Sequence, residues 1–188
     1  MKSLEKISTI FSSIFILLFA GFFLVIFIFW NFVFDLPDHE QLLNYEPPMI
    51  TRVYASDGRL ISEFAAEERS YVPVDSIPPL VINSFLAAED KNFYDHIGID
   101  FTGIIRALKR NINNISGRPE GASTITQQVA KNFFLSREIS YKRKIKEILL
   151  ALRIEQTLTK NKILELYLNE IYLGYRSYGV AAASLNYF

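Results

Sequence analysis

The sequence contains no cysteine. A disulfide framework and thiolate-held metal sites are therefore excluded, while the compartment is left open. Charge of one sign is missing too. Its 20 basic and 20 acidic residues cancel, so no overall electrostatic attraction to nucleic acid follows, and none is expected as a partner. Charge of either sign is wholly lacking from Ile7 to Phe34, a run of 28 residues. As a helix that run reaches roughly 42 Å, against about 30 Å for the hydrocarbon core of a bilayer. Lys2 and Lys6 precede it, and Asp35, Asp38 and Glu40 follow. The excess of positive charge on the amino side puts Met1 in the cytoplasm and residues 36–188 on the outer side. A cleaved signal peptide would have an apolar core roughly half as long, closed by a small-x-small site. Trp30-Asn31-Phe32 supplies none.

The expected organisation is a cytoplasmic tail (1–6), a transmembrane anchor (7–34), a linker (35–50) holding Pro37, Pro47 and Pro48, and a domain from 51 to 188. Thr51–Tyr54 and Leu60–Phe64 flank Ser56-Asp57-Gly58 and read as a β-hairpin. Tyr71-Val72-Pro73-Val74 suggests an added edge strand. From Pro78 onward the pattern is helical, so the fold class is mainly α with a small β element.

Pro79 suits the first turn of a helix running over Leu80–Phe93. At about 100° per residue, Glu89 falls between Phe85 on one side and Ile82, Leu86 and Phe93 on the other. Asp90 points towards the polar side. An ionised acid among apolar side chains is costly unless it is paired or shifted in pKa. Glu89 is thus either a satisfied core salt bridge or a candidate base. Asp100 can cap a helix over 101–115, whose Arg106, Lys109 and Arg110 form either a solvated face or an anion-attracting rim near lipid head groups. Residues 113–121 read as a loop.

Thr124 with Gln127 three residues later fits a capping box. Ile125, Val129 and Phe133 form a stripe, with Thr124, Gln127 and Lys131 opposite it. This glycine-entered helix start is either an ordinary capped helix or a phosphate cradle. It is not a P-loop, because the Gly-Lys-Ser/Thr order is absent. Tyr141–Gln156 is apolar on both sides. Ile145, Ile148, Leu149 and Leu152 line one face, while Glu147 sits among Leu150, Ala151 and Ile154 on the other. Arg143, one turn earlier, can pair with Glu147. Thr159 caps a last long helix, Lys160–Tyr172, with Gly174 as its stop.

Taken together, five stretches carry a resemblance. Glu89-Asp90-Lys91-Asn92-Phe93-Tyr94-Asp95-His96-Ile97-Gly98 resembles the first motif of the family 51 peptidoglycan glycosyltransferases. This family comprises the glycosyltransferase domains of class A penicillin-binding proteins and the monofunctional transglycosylases. Gly121-Ala122-Ser123-Thr124-Ile125-Thr126-Gln127-Gln128, with Lys131-Asn132, resembles the second motif. Arg143-Lys144-Ile145-Lys146-Glu147 resembles the third, Ile163 to Gly174 the fourth, and Tyr178-Gly179-Val180-Ala181-Ala182-Ala183 the fifth.

The resemblance implies a lysozyme-like helical domain on a membrane anchor. It implies polymerisation of lipid II into glycan strands, with undecaprenyl pyrophosphate leaving. Glu89 would act as general base, and Glu147 would organise the donor side or a bound divalent cation (Mg2+ or Mn2+). Asp90, Ser123, Thr124, Gln127, Gln128, Lys131 and Arg143 would bind substrate, and His96 would be structural. Expected partners are lipid II, the growing strand, membrane lipids and other cell-wall synthesis proteins, at the bacterial inner membrane. There are departures: Ile139 stands where members often have arginine, with Arg137 two residues earlier, and Ala122 replaces a common glycine. Ser3-Leu4-Glu5-Lys6 matches Ser-x-x-Lys but lies on the cytoplasmic side. No Lys-Thr-Gly occurs, so no covalent β-lactam binding is expected. The family domain usually continues beyond the position of Phe188, which raises the alternative of a truncated chain that binds lipid II without turnover. A lysozyme-like hydrolase is a further alternative.

Overall fold

The computed structural model describes residues 12–13, 15–24, 26–27, 30, 36–43, 45, 51–64, 68–113, 121–136 and 138–188. They fall into two compact units, Met1–Pro37 and Asp38–Phe188. In the first unit the described residues between 12 and 30 are helical and exposed. Phe15, Phe19 and Phe23 follow one another at i, i+4, with ring centroids 6.2 and 4.7 Å apart. Among the described residues no helix is long and apolar enough to cross a membrane. The anchor expected over 7–34 includes residues outside those described.

The second unit is mainly helical. Its elements are β1 (Thr51–Tyr54), β2 (Leu60–Phe64), β3 (Glu68–Arg69), α1 (Pro79–Glu89), α2 (Phe101–Asn113), α3 (Ile125–Phe134), α4 (Tyr141–Thr157), α5 (Lys160–Glu170), β4 (Ser177–Tyr178) and α6 (Val180–Tyr187). The expected hairpin is present: β1 and β2 pair antiparallel, with an irregularity between Val53 and Tyr54. Its turn is closed by the Gly58 N–H donating to Ala55 O at 2.9 Å.

Tyr71–Val74 does not form the expected edge strand. The Asn169 amide captures Val72 instead, accepting from its N–H at 2.8 Å and donating to its carbonyl at 2.9 Å. Pro73 has no N–H to offer, and the chain turns into a 3-10 helix at Val74–Ser76. The strand partner in this region is β3, which pairs parallel with β4. Within the stretch read as a linker, His39–Leu42 forms a 3-10 helix. Leu42 is buried and His39 Nε2 lies 3.1 Å from Thr157 Oγ1, so the compact unit begins at Asp38.

The core lies where α3, α4 and α5 meet. Ile125, Val129 and Ala130 of α3, Leu150, Ala151 and Ile154 of α4, and Ile163, Leu164, Leu166 and Leu168 of α5 are all 1% exposed or less. Burial of each valine, leucine or isoleucine among them stabilises the fold by about 1.5–3 kcal/mol. On α4, apolar on both sides, the buried face is the one that carries Glu147; Ile145 on the other is 39% exposed. Helix α5 stops at Glu170, before Gly174. Ile171 is already extended (ψ 132°), its carbonyl accepts from Gly179 N–H at 2.8 Å, and Tyr172 bridges to Tyr178.

Candidate active site

Helix α1 ends on the first motif. Asp90 leaves helical geometry (φ −156°, ψ 79°), so Glu89 and Asp90 exchange the environments expected for them. Glu89 is exposed at the helix end. Asp90 is 5% exposed. Its carboxylate accepts from the Ile125 N–H at 3.0 Å and lies 3.0–3.1 Å from His96 Nε2. It therefore satisfies a donor at the start of α3, where intrahelical partners are lacking. Asp90 serves here as a tie between motifs, with no free face for substrate. Helix α1 does not continue to Phe93 as its periodicity predicts, because Asp90 turns out of it to meet the Ile125 N–H. His96 is structural as expected, and its Nδ1 accepts from the Gly98 N–H at 3.0 Å.

Gly98 completes the corner. Its φ of +96° suits glycine, and a Cβ there would meet the Ala151 carbonyl oxygen at 2.9 Å. The Gly98 carbonyl accepts from Thr124 Oγ1 at 2.7 Å. Asp100 caps α2, accepting from the Gly103 N–H at 2.8 Å and Thr102 Oγ1 at 2.6 Å. Burial raises its pKa, but these bonds and one from Asn92 outweigh burial and hold the carboxyl below its ordinary value.

The capping box at the start of α3 is present: Thr124 accepts from the Gln127 N–H at 3.2 Å and the Gln127 amide accepts from the Thr124 N–H at 3.3 Å. Both side chains are 2% exposed, so they do not share an open face with Lys131. The adjacent glutamines serve different sides. Gln128 Nε2 donates to Glu89 Oε2 at 2.7 Å. Gln127 Oε1 accepts from Lys144 Nζ at 3.4 Å. Lys131 lies one turn beyond Gln128 on the same face of α3. It is exposed, and its side chain has no hydrogen bond or ion pair among the described residues.

Glu147 is 3% exposed. Arg143 Nη1 donates to its Oε2 at 2.8 Å, the expected i, i+4 pair. Lys144 Nζ donates to its other oxygen and to Ser123 Oγ at 2.8 Å. Ser123, Gln127, Lys144, Arg143 and Glu147 thus form one network across α3 and α4. Lys144 was missed although its i, i+3 spacing to Glu147 was a signal in the sequence; its other partners, Ser123 and Gln127, are distant along the chain. Each Glu147 oxygen is thus paired with a cation of the same helix. Two cations against one carboxylate leave the network net positive, and Lys131 adds a further positive charge on the Gln128 side of α3. Such a site can hold an anion beside a free carboxylate.

Among the described residues no group of three or more histidines and acids could hold a metal ion. Arg137 lies outside the described residues, and Ile139 is 96% exposed.

Two further clusters were not foreseen. Glu165 accepts from Lys162 Nζ at 2.8 Å, from the Val74 N–H at 2.9 Å and from Tyr71 Oη. Burial raises its pKa, but these donors outweigh burial and hold it below its ordinary value. Tyr167 is 1% exposed, and its hydroxyl has no hydrogen-bond partner among the described residues.

Comparison with known proteins adds the following. A family model described as "Transglycosylase" matches residues 57–188. Penicillin-binding protein 1A of Rickettsia typhi is 51% identical over 175 residues, 92% of this chain and 22% of the relative. Penicillin-binding protein 1A of Aquifex aeolicus is 52% identical over 155 residues, 82% of this chain and 21% of the relative. The protein of that name from Escherichia coli is 51% identical over 155 residues, 82% and 18% respectively. The chain spans about a fifth of the length of the curated relatives it matches.

Proposed function

The chain belongs to the transglycosylase family, the family 51 peptidoglycan glycosyltransferases, and from that premise we propose that it polymerises lipid II into glycan strands. The observation that carries this reading is an exposed Glu89 carboxylate, held by Gln128 of α3 at 2.7 Å, with Lys131 one turn further along the same helix.

In this reading the 4-hydroxyl of the acceptor sugar attacks the anomeric carbon of the growing strand. Glu89 takes the hydroxyl proton as the new bond forms, a contribution of about 10²–10⁴-fold to rate. The bond from the anomeric carbon to the pyrophosphate oxygen breaks on the opposite face, so the anomeric centre inverts. Lys131, Arg143 and Lys144 face the departing undecaprenyl pyrophosphate and stabilise charge that builds up on it. Glu147 holds Arg143 and Lys144 in place. Asp90, Thr124 and Gln127 act through structure, by fixing the start of α3, while Ser123 and Gln128 orient Lys144 and Glu89. The domain would be lysozyme-like and carried by a single anchor over 7–34. The amino terminus would lie in the cytoplasm, the site on the outer side of the inner membrane, and other cell-wall synthesis proteins nearby.

A hydrolase needs a second carboxylate that protonates the leaving group; the pairing of Glu147 disfavours that alternative. Incubating the full chain in detergent with lipid II should give glycan polymer that the Glu89→Gln variant does not make. Binding of lipid II with no polymer from the unmodified chain would overturn the catalytic reading in favour of a binding role.

A further inference from the structure

The proposed reaction leaves one buried polar group in the fold unused. Tyr167 of α5 lies under α1 with its ring edge-on to Phe85, centroids 6.1 Å apart at 79°. Phe85 precedes Glu89 by one helical turn, so the two side chains stack on one face of α1. The Tyr167 ring is thus in the core directly beneath the proposed base. Its hydroxyl is buried and finds neither donor nor acceptor among the described residues. Phenylalanine would fill the same space without leaving a buried hydroxyl unpaired, so packing alone does not account for the tyrosine. The Glu89 carboxylate accepts one hydrogen bond among the described residues, from Gln128, and has acceptor capacity to spare. Burial, and then the Glu89 charge, push the Tyr167 hydroxyl well above its ordinary pKa, so it remains a donor throughout the working range.

We propose that Tyr167 is a positioning residue for Glu89. Its hydroxyl donates to the carboxylate from the core side when Glu89 turns in to meet the acceptor, leaving the outer oxygen to receive the proton. This rests on the assignment of Glu89 as base, so its test has an arm that needs no turnover.

Carboxyl NMR of the full chain in detergent micelles follows the Glu89 titration, with Glu89→Gln identifying its signal. Gln128→Ala releases the carboxylate from its outer donor. Adding Tyr167→Phe to that variant should raise the Glu89 midpoint by about half a unit or more, because a donor to the charged form has been removed. An unchanged midpoint overturns the proposal. In lipid II polymerisation, Tyr167→Phe alone should slow turnover roughly 10- to 100-fold, as misplacement of a reacting group does. The acid limb of kcat/KM should move to higher pH, and the melting temperature should hold or rise. A wild-type rate and acid limb contradict the proposal. So does a lowered melting temperature, which would show the hydroxyl already paired in the resting fold. A shifted midpoint in a chain that polymerises nothing would uphold the Tyr167–Glu89 bond and refute the glycosyltransferase reading. Polymerisation with an unmoved midpoint would do the reverse.

Discussion

Replacing Glu147 with glutamine tests whether this carboxylate serves the fold or the substrate. Glutamine keeps the shape and removes the charge. Arg143 Nη1, at 2.8 Å, and Lys144 Nζ would lose their anion together. Stranding a fully buried charge costs about 3–5 kcal/mol. Here the cation side chains are 18% and 40% exposed, so water screens much of that loss. The expected destabilisation is therefore about 1–3 kcal/mol. In a domain of roughly 150 residues this lowers the melting temperature by about 2–10 °C. The assay is thermal unfolding of the detergent-solubilised chain, with Glu147→Gln, Lys144→Met and the double variant as a cycle. The pair should couple by about 0.5–3 kcal/mol. Polymerisation should fall as well, because Lys144 is released from Ser123 and Gln127. An unchanged melting temperature, with polymerisation abolished, would refute the reasoning and put Glu147 on the substrate.

Asp90→Ala removes the acceptor for the Ile125 N–H and the partner of His96, and should destabilise by about 1–3 kcal/mol in denaturant titration, with full-length α3 no longer tied to the first motif. Lys131→Ala touches nothing in the fold, so its unfolding curve should stay within about 0.5 kcal/mol of wild type. Its polymerisation rate should drop by about 10²–10³-fold if the lysine meets the leaving group. Asp100 and Glu165 both have pKa values held below their ordinary 3.8 and 4.5. Their contribution to stability is present above those ordinary values and is lost as pH falls through the lower folded-state values. Melting temperature measured from pH 6 downward should fall below about pH 4.5, and the fall should be shallower in Asp100→Asn.

Local signals in the sequence carried far. The capping box at Thr124, the cap at Asp100, the hairpin and the Arg143–Glu147 pair each depend on residues a few positions apart, and each is present as read. What was not legible depended on partners far along the chain. Asp90 is buried because the start of α3, 35 residues away, supplies an N–H. The stretch Tyr71–Val74 is not a strand because the side chain of Asn169, 97 residues from Val72, takes its backbone. Helix α4 has apolar residues on two sides, so periodicity could not say which face is inside. The bonds from Lys144 to Ser123 and Gln127 depended on α3 and α4 coming together. At Glu89 the environment was misjudged: the side chain is exposed at a helix end and accepts from Gln128.

The central claim is that Glu89 removes the acceptor proton. Wild-type chain and Glu89→Gln would be compared for glycan polymer formed from lipid II, with lipid II binding measured on both. The account predicts polymer from wild type, a loss of about 10²-fold or more in the variant, and similar binding by both. Equal polymer from the two proteins would contradict it.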